Sequence, residues 1–162
     1  MREQIQSVKG VWGMRRDEIE ASWCNLFSQS SNLRFQRLTI KEGLSQSSAN
    51  SIIQDHMGLI WLGTQDGLNR FDGYDVEAFK HQIKQTKTLS SSYVLQLYES
   101  SDRTLWVATQ NGGLNYKTPL SNAFQRTSQE ILNSNIIITD IIEDKDQFLW
   151  LSTEKSGLIR YR

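Results

Sequence analysis

Residues 51–72 read S-I-I-Q-D-H-M-G-L-I-W-L-G-T-Q-D-G-L-N-R-F-D, and the stretch returns twice further along the chain. Its central step, apolar-Trp-apolar-small-Thr followed by Gly-Leu, is Ile60-Trp61-Leu62-Gly63-Thr64 with Gly67-Leu68. It recurs as Leu105-Trp106-Val107-Ala108-Thr109 with Gly113-Leu114, and as Leu149-Trp150-Leu151-Ser152-Thr153 with Gly157-Leu158. Trp61, Trp106 and Trp150 stand 45 and 44 positions apart. Counting back from each Trp, Ile52-Ile53, Leu97-Tyr98 and Ile141-Ile142 share one register, as do Asp55, Ser100 and Asp144. Eighteen positions after Trp lies Phe79, then Phe124; the third copy ends before that point. A fixed period of this length marks a repeat architecture, in which each unit buries its apolar face only by stacking on a neighbour.

Within one copy the pattern is that of short strands and tight turns. The first copy predicts strands near 49–54, 59–64, 67–71 and 75–80. Asp55-His56-Met57-Gly58 places Asp first and Gly fourth, the positions a type I turn favours, and Gln65-Asp66-Gly67 and Asp72-Gly73 supply the other reversals. Leu59, Trp61 and Gly63 share one face of the second strand, with Ile60, Leu62 and Thr64 on the other, so the strand is apolar on both sides. Such a strand lies between two layers. That is the need of a propeller blade, a small twisted sheet held between the blades before and after it. The small residue two after each Trp follows, because a full side chain there would meet the indole or the next blade.

The expected fold is therefore all-β: a partial β-propeller of about three four-stranded antiparallel blades over 34–162, with repeats at about 44–80, 89–127 and 132–162. In the second and third copies the turn glycine is replaced by Arg103 and Gln147, while Ser100-Ser101-Asp102 and Asp144-Lys145-Asp146 keep side chains that cap turns. The final strand of the third blade is expected to be missing. Residues 34–39 alternate well enough for one isolated strand, of the kind that closes a ring from the other terminus. Residues 1–33 lie outside the repeat and form an N-terminal extension, helical or irregular. A short amphipathic helix would start at Asp17, with Ile19, Trp23, Leu26 and Phe27 on one face.

The 162 residues include 18 Lys+Arg and 18 Asp+Glu, so no global charge points to nucleic acid or to an anionic membrane surface. Cys24 is the single cysteine, which excludes an intrachain disulfide framework and any Cys-rich metal site. No apolar run reaches the roughly 18 to 20 residues of a membrane span, and the start shows no apolar signal region.

The run G-L-S-Q-S-S-A-N-S-I-I-Q-D-H-M-G-L-I-W-L-G-T-Q-D-G-L-N-R-F-D-G, residues 43–73, resembles the first repeat of the two-component regulator propeller family. The resemblance covers roughly 35–161. WD40 repeats have a similar length, but no Trp here is followed by Asp, and kelch repeats are longer. The resemblance implies the β-propeller sensor region of a bacterial transmembrane receptor, with a histidine kinase or diguanylate cyclase as output. It implies a periplasmic place in a membrane-anchored parent. A closed propeller needs at least four blades, so about three imply a fragment whose partners are the remaining blades of the receptor, an extracytoplasmic ligand and, for the fragment alone, further copies of itself.

No catalytic, cofactor or metal residue is expected. His56 sits in a turn and His81 after the fourth strand, neither with a second His or Cys at ligand spacing, and both read as solvated loop residues. The serines at 45–48 and 90–92 lie in no Gly-x-Ser-x-Gly elbow and read as turn residues. Asp144 and Asp146, like Asp55, Asp66 and Asp72, read as turn caps rather than as a calcium loop, which needs many oxygen ligands around a fixed glycine. Gly112-Gly113 is followed by neither Lys-Ser/Thr nor a helix start, so it is no phosphate loop. The three tryptophans read as core rather than as sugar platforms. Three classes of function stay open: a non-enzymatic sensor segment, a propeller-type protein-interaction scaffold, and an enzyme with a pocket built from loops 64–67 and 109–113.

Overall fold

The computed structural model describes residues 36–127 and 136–162. The candidate helix within 1–33 lies outside the described residues. Residues 36–39 carry no strand, so the described part of the expected 34–39 strand is irregular chain leading into a 3-10 turn, Ile40–Glu42. Thr39 caps that turn: its backbone N–H donates to the Glu42 carboxylate at 2.7 Å, while its side chain accepts from the Lys41 N–H.

Eleven strands follow among the described residues, in three antiparallel sheets. The first blade contains β1 (Ala49–Gln54), β2 (Ile60–Thr64), β3 (Gly67–Phe71) and β4 (Val76–Phe79), paired in that order. The second contains β5 (Val94–Glu99), β6 (Leu105–Thr109), β7 (Gly113–Lys117) and β8 (Gln125–Arg126), again in order. The third contains only β9 (Ile138–Glu143), β10 (Leu149–Thr153) and β11 (Leu158–Tyr161). Registers repeat from blade to blade: Ile53 pairs with Trp61, Tyr98 with Trp106 and Ile142 with Trp150. Each first strand also carries an irregularity at one place, around Asn50, Leu95 and Thr139, where an extra residue sharpens the local twist.

Cross-strand partners share a face, which gives every blade a Trp face and an opposite, leading face. Ile53, Trp61, Leu68 and Phe79 of the first Trp face pack on Val94, Leu97, Leu105 and Val107 of the second blade. The second Trp face, with Tyr98, Trp106, Ala108 and Leu114, packs in the same sense on Ile141, Leu149 and Leu151 of the third. Gly63 is small because of this stacking. A Cβ there would stand 2.6 Å from a γ-methyl of Val94, so the contact that excludes a side chain comes from the neighbouring blade and not from the indole. Ala108 holds the same place and is fully buried at the second junction.

Both faces of β2 are apolar in sequence, but among the described residues only the middle blade has both covered. In the first blade the leading face is open and Ile52 is exposed; in the third the Trp face is open, with Ile142 and Leu158 exposed.

Candidate functional site

Four sets of hydrogen bonds repeat with the blades, and they locate what the fold presents. At the turn after each first strand, the Asp55 carboxylate accepts the Met57 and Leu59 N–H groups and, at 2.8 Å, the indole N–H of Trp61. Asp144 does the same for Asp146, Phe148 and Trp150. In the second blade Ser100 stands at that place, so the Trp106 indole donates to the Ser100 hydroxyl, which donates in turn to Asp102. The Trp150 indole first, and then the Phe148 N–H, hold the Asp144 carboxyl below the usual range. Burial pushes Asp102 up, but donation from Ser100 and from the Thr104 backbone outweighs it and leaves that carboxyl below the usual range as well. The aspartates are turn caps, as the sequence suggests, and they are also the polar anchors of the tryptophans.

The second set ties blade to blade. Glu99, at the end of β5, accepts the His56 backbone N–H at 2.9 Å and pairs with the His56 ring. Glu143, at the end of β9, accepts the Ser101 N–H at 2.7 Å and the Ser101 hydroxyl at 2.9 Å. His56 is thus an exposed turn residue, as the sequence suggests, that also makes an inter-blade contact. His81 is tied as well, its N–H to the Ser92 hydroxyl and its ring to the Leu89 carbonyl. The third set runs along the first strands, where Ser51 donates to Gln96 and Gln96 donates to Asp140 at 2.8 Å.

The fourth set lies inside the first and second blades. The Ser45 N–H donates to Asn69 at 2.9 Å, and the Ser45 and Thr64 hydroxyls share a bond; Ser90, Asn115 and Thr109 repeat the arrangement. Sequence reading placed Ser45 and Ser90 in turns and missed this role. The signal available was the Asn that follows Gly-Leu in both copies, Asn69 and Asn115, each fully buried and fully bonded. In the third copy Ile159 stands there instead.

These bonds leave a cleft at each junction, on the side of the Asp-containing turns. The cleft between the first two blades has a volume of about 80 Å³ and includes Asp55, Trp61, Arg70, Glu99, Arg103 and Lys117 in its wall. Its counterpart between the second and third, about 220 Å³, has Ser100, Trp106, Glu143, Gln147 and Tyr161 at the places of Asp55, Trp61, Glu99, Arg103 and Lys117, with Arg162 beside them. In the first, Arg70, Arg103 and Lys117 stand beside the Asp55 and Glu99 carboxylates. Burial foremost, and then Arg70, push the Lys117 ammonium below its ordinary range, while Asp55 and Glu77 act the other way. Arg70 is held by Glu77 at 2.5 Å. Arg103 enters the wall from a left-handed backbone with φ 69, and Gln147 keeps the same turn with φ 63, where the first blade has Gly58 at φ 85. The turn is conserved in geometry after its glycine is gone. Among the described residues no group of three His, Cys, Asp or Glu is placed to hold a metal ion, and no helix is long and apolar enough to cross a membrane.

Stacked blades of this registry define a β-propeller segment. The model of the family described as two component regulator propeller matches residues 43–66, 88–111 and 131–155, one match per blade, so each blade carries that family's repeat. A stretch of 66 residues is 42% identical to a histidine kinase, P4, of Formosa agariphila, covering 41% of this chain and 5% of that protein. The extracellular domain of the hybrid two component system BT3049 of B. thetaiotaomicron superposes with a TM-score of 0.67 at 26% identity, over 77% of this chain and 18% of that one. The extracellular domain of BT4673 of the same organism, at 24% identity and a TM-score of 0.60 over 78% of this chain, has the same fold. The chain spans less than a fifth of the length of these relatives.

Proposed function

We propose that the chain is a non-enzymatic sensor segment of a bacterial signal-transduction receptor, of two-component or cyclic-di-GMP type, exposed on the extracytoplasmic side and truncated relative to its parent. The observation that carries the reading is the likeness, at 26% identity and a TM-score of 0.67, to an extracellular domain of a hybrid two component system. The chemistry of the described residues supports it. The polar groups that sequence and geometry bring together, Asp with Trp, Ser with Thr and Asn, Glu with a backbone N–H, are each engaged in holding the blades. In this reading signal input is a ligand binding across a blade junction, where a small change in stacking passes to the next blade.

Two measurements test this. A phosphatase reporter active only outside the cytoplasm is inserted at Gly73, whose turn has open space around it, in the intact gene in its own cells. The expected result is an active reporter; an inactive one, together with activity of a cytoplasmic reporter at the same place, contradicts the extracytoplasmic reading. Turnover of a nucleotide or glycoside by the purified chain, abolished by a single substitution, contradicts the non-enzymatic one.

A further inference from the structure

We propose that Asn111 and Gly112, at the tip of the β6–β7 hairpin in the middle blade, form a self-modification site. The Asn111 amide is lost through a cyclic imide, and the ageing chain carries an aspartate or an isoaspartate at that place. The inference goes beyond the sensor reading and does not depend on it.

Asn-Gly occurs once in the chain, and the fold calls for each member of the pair separately. Asn111 adopts φ 58, a left-handed conformation in which asparagine is one of the few side chains found regularly. Gly112 has no room for a side chain, because a Cβ there would stand 2.4 Å from the Ser90 hydroxyl and 2.5 Å from that of Thr109. Together these two demands set an amide side chain directly before the residue whose backbone nitrogen is least hindered. Asn111 is exposed. The amides of Asn50, Asn69 and Asn115 are tied to Val94, Ser45 and Val107, and among the described residues no such bond holds that of Asn111. The Gly112 N–H reaches the Thr109 carbonyl only at 3.4 Å, a weak bond that leaves the nitrogen available. Asp66-Gly67 and Asp72-Gly73 could close the same ring, but Asp66 pairs with Lys80 at 2.7 Å and Asp72 accepts the Tyr74 and Asp75 N–H groups. Ionised carboxylates also resist a nucleophile that a neutral amide admits.

In the first step the Gly112 nitrogen, its proton passing to a solvent base, bonds to the side-chain carbonyl carbon of Asn111. The bond from that carbon to the amide nitrogen breaks, and the nitrogen takes a proton from water and leaves as ammonia. Water then opens the imide. Attack at the side-chain carbonyl restores the normal backbone with an aspartate; attack at the main-chain carbonyl leaves an isoaspartate, whose backbone runs through the former side chain. No oxidant or reductant is needed. Either product puts a carboxylate where a neutral amide stood, and the isoaspartate adds one carbon to the main chain beside Gly112. That residue is boxed in by Ser90 and Thr109, whose hydroxyls share a bond at 2.9 Å and whose partner is Asn115. The lengthened chain therefore loosens the bonds that hold the second blade together.

Incubation of the purified, folded chain in mildly alkaline buffer, followed by tryptic mapping over time, tests this. Cleavage after Arg103 and Lys117 releases 104–117, which contains Asn111 and, as an internal control, the buried Asn115. The expected result is release of ammonia and a mass gain equal to replacing an amino group by a hydroxyl, located by fragmentation at 111 and split between two chromatographic peaks. Asn115 should lag behind, as should Asn122, which is exposed but precedes Ala123. Asn111→Gly suits the left-handed turn, has no amide, and should abolish the gain. The separated isoaspartate form should melt at a lower temperature than fresh chain. A folded chain that keeps its amide at 111 over an incubation long enough to convert the urea-unfolded chain overturns the proposal, as does conversion of Asn115 or Asn122 as fast as Asn111. An isoaspartate form that melts with the fresh chain overturns the coupling to Ser90 and Thr109.

Discussion

Leu114 and Leu158 occupy one place in two copies of the same repeat, yet Leu114 is 1% exposed and Leu158 is 62% exposed. Leu97 and Ile52 differ likewise, 4% against 64%, on the other face. Strand, register and residue type are nearly the same in each pair; what differs is whether a neighbouring blade is present. The middle blade is buried on both sides, and each outer blade on one. Burial in this fold belongs to the junction rather than to the blade, and so does stability, as in repeat arrays whose energy is largely a sum over neighbours.

Several substitutions sharpen or break that comparison, each measured by denaturant unfolding in dilute solution where a copy stands alone. Leu114→Ala should cost about 2 to 5 kcal/mol, while Leu158→Ala should stay within about 0.5 kcal/mol; equal costs would break the contrast. Gly63→Leu should cost about 1 to 3 kcal/mol by overpacking against Val94, whereas Ser152→Leu, at the same repeat place on the open face, should be near neutral. Removal of an inter-blade clamp by Glu143→Ala should cost about 1 to 2 kcal/mol, since two donors of Ser101 lose a charged acceptor. Gln54→Ala, which loses only a local bond to the Gly58 carbonyl, should change little.

A gain is expected at the second turn. Arg103 adopts φ 69, a left-handed conformation that costs a non-glycine residue roughly 1 to 2 kcal/mol, so Arg103→Gly should stabilise the chain by about 1 kcal/mol. The smallest effect concerns pH. Asp102 and Asp144 have folded pKa values held below the usual carboxylate range, so the stability they contribute is present above the unfolded value of about 4 and is lost as pH falls through the folded values. A melting temperature that falls below about pH 4 is expected, with a shallower fall in Asp144→Asn.

Much of this organisation was legible in the chain. Strands expected at 49–54 and 67–71 are β1 and β3, those expected at 59–64 and 75–80 are β2 and β4 with an end residue or two trimmed, and among the described residues the third sheet shows no fourth strand. These features rest on period-2 patterning and on turn residues, which are local. Legibility ended where a side chain answers to another blade. The partners of His56, Glu99 and Glu143 lie 42 or 43 positions away, and no composition or spacing within one copy names them. Aligning the copies shows Gln54, Glu99 and Glu143 at one place, seven before Trp, which was the available signal. Among the described residues the burial that a two-sided apolar strand calls for is met only in the middle blade, because such a strand shows what it needs and not whether the neighbour is there. Ser45 and Ser90 were hidden for a related reason: their partners Asn69 and Asn115 lie 24 and 25 residues on, across the whole blade.

Amide hydrogen exchange in dilute solution, resolved by strand, tests most directly whether stability belongs to the junctions. The account predicts the slowest exchange in β5 and β6 of the middle blade, where both faces are covered, and faster exchange in β10 and β11, which lack a blade against Trp150. Protection of β10 equal to that of β6, with Leu158 as exposed as it is here, would show that each blade holds itself together and would contradict the account.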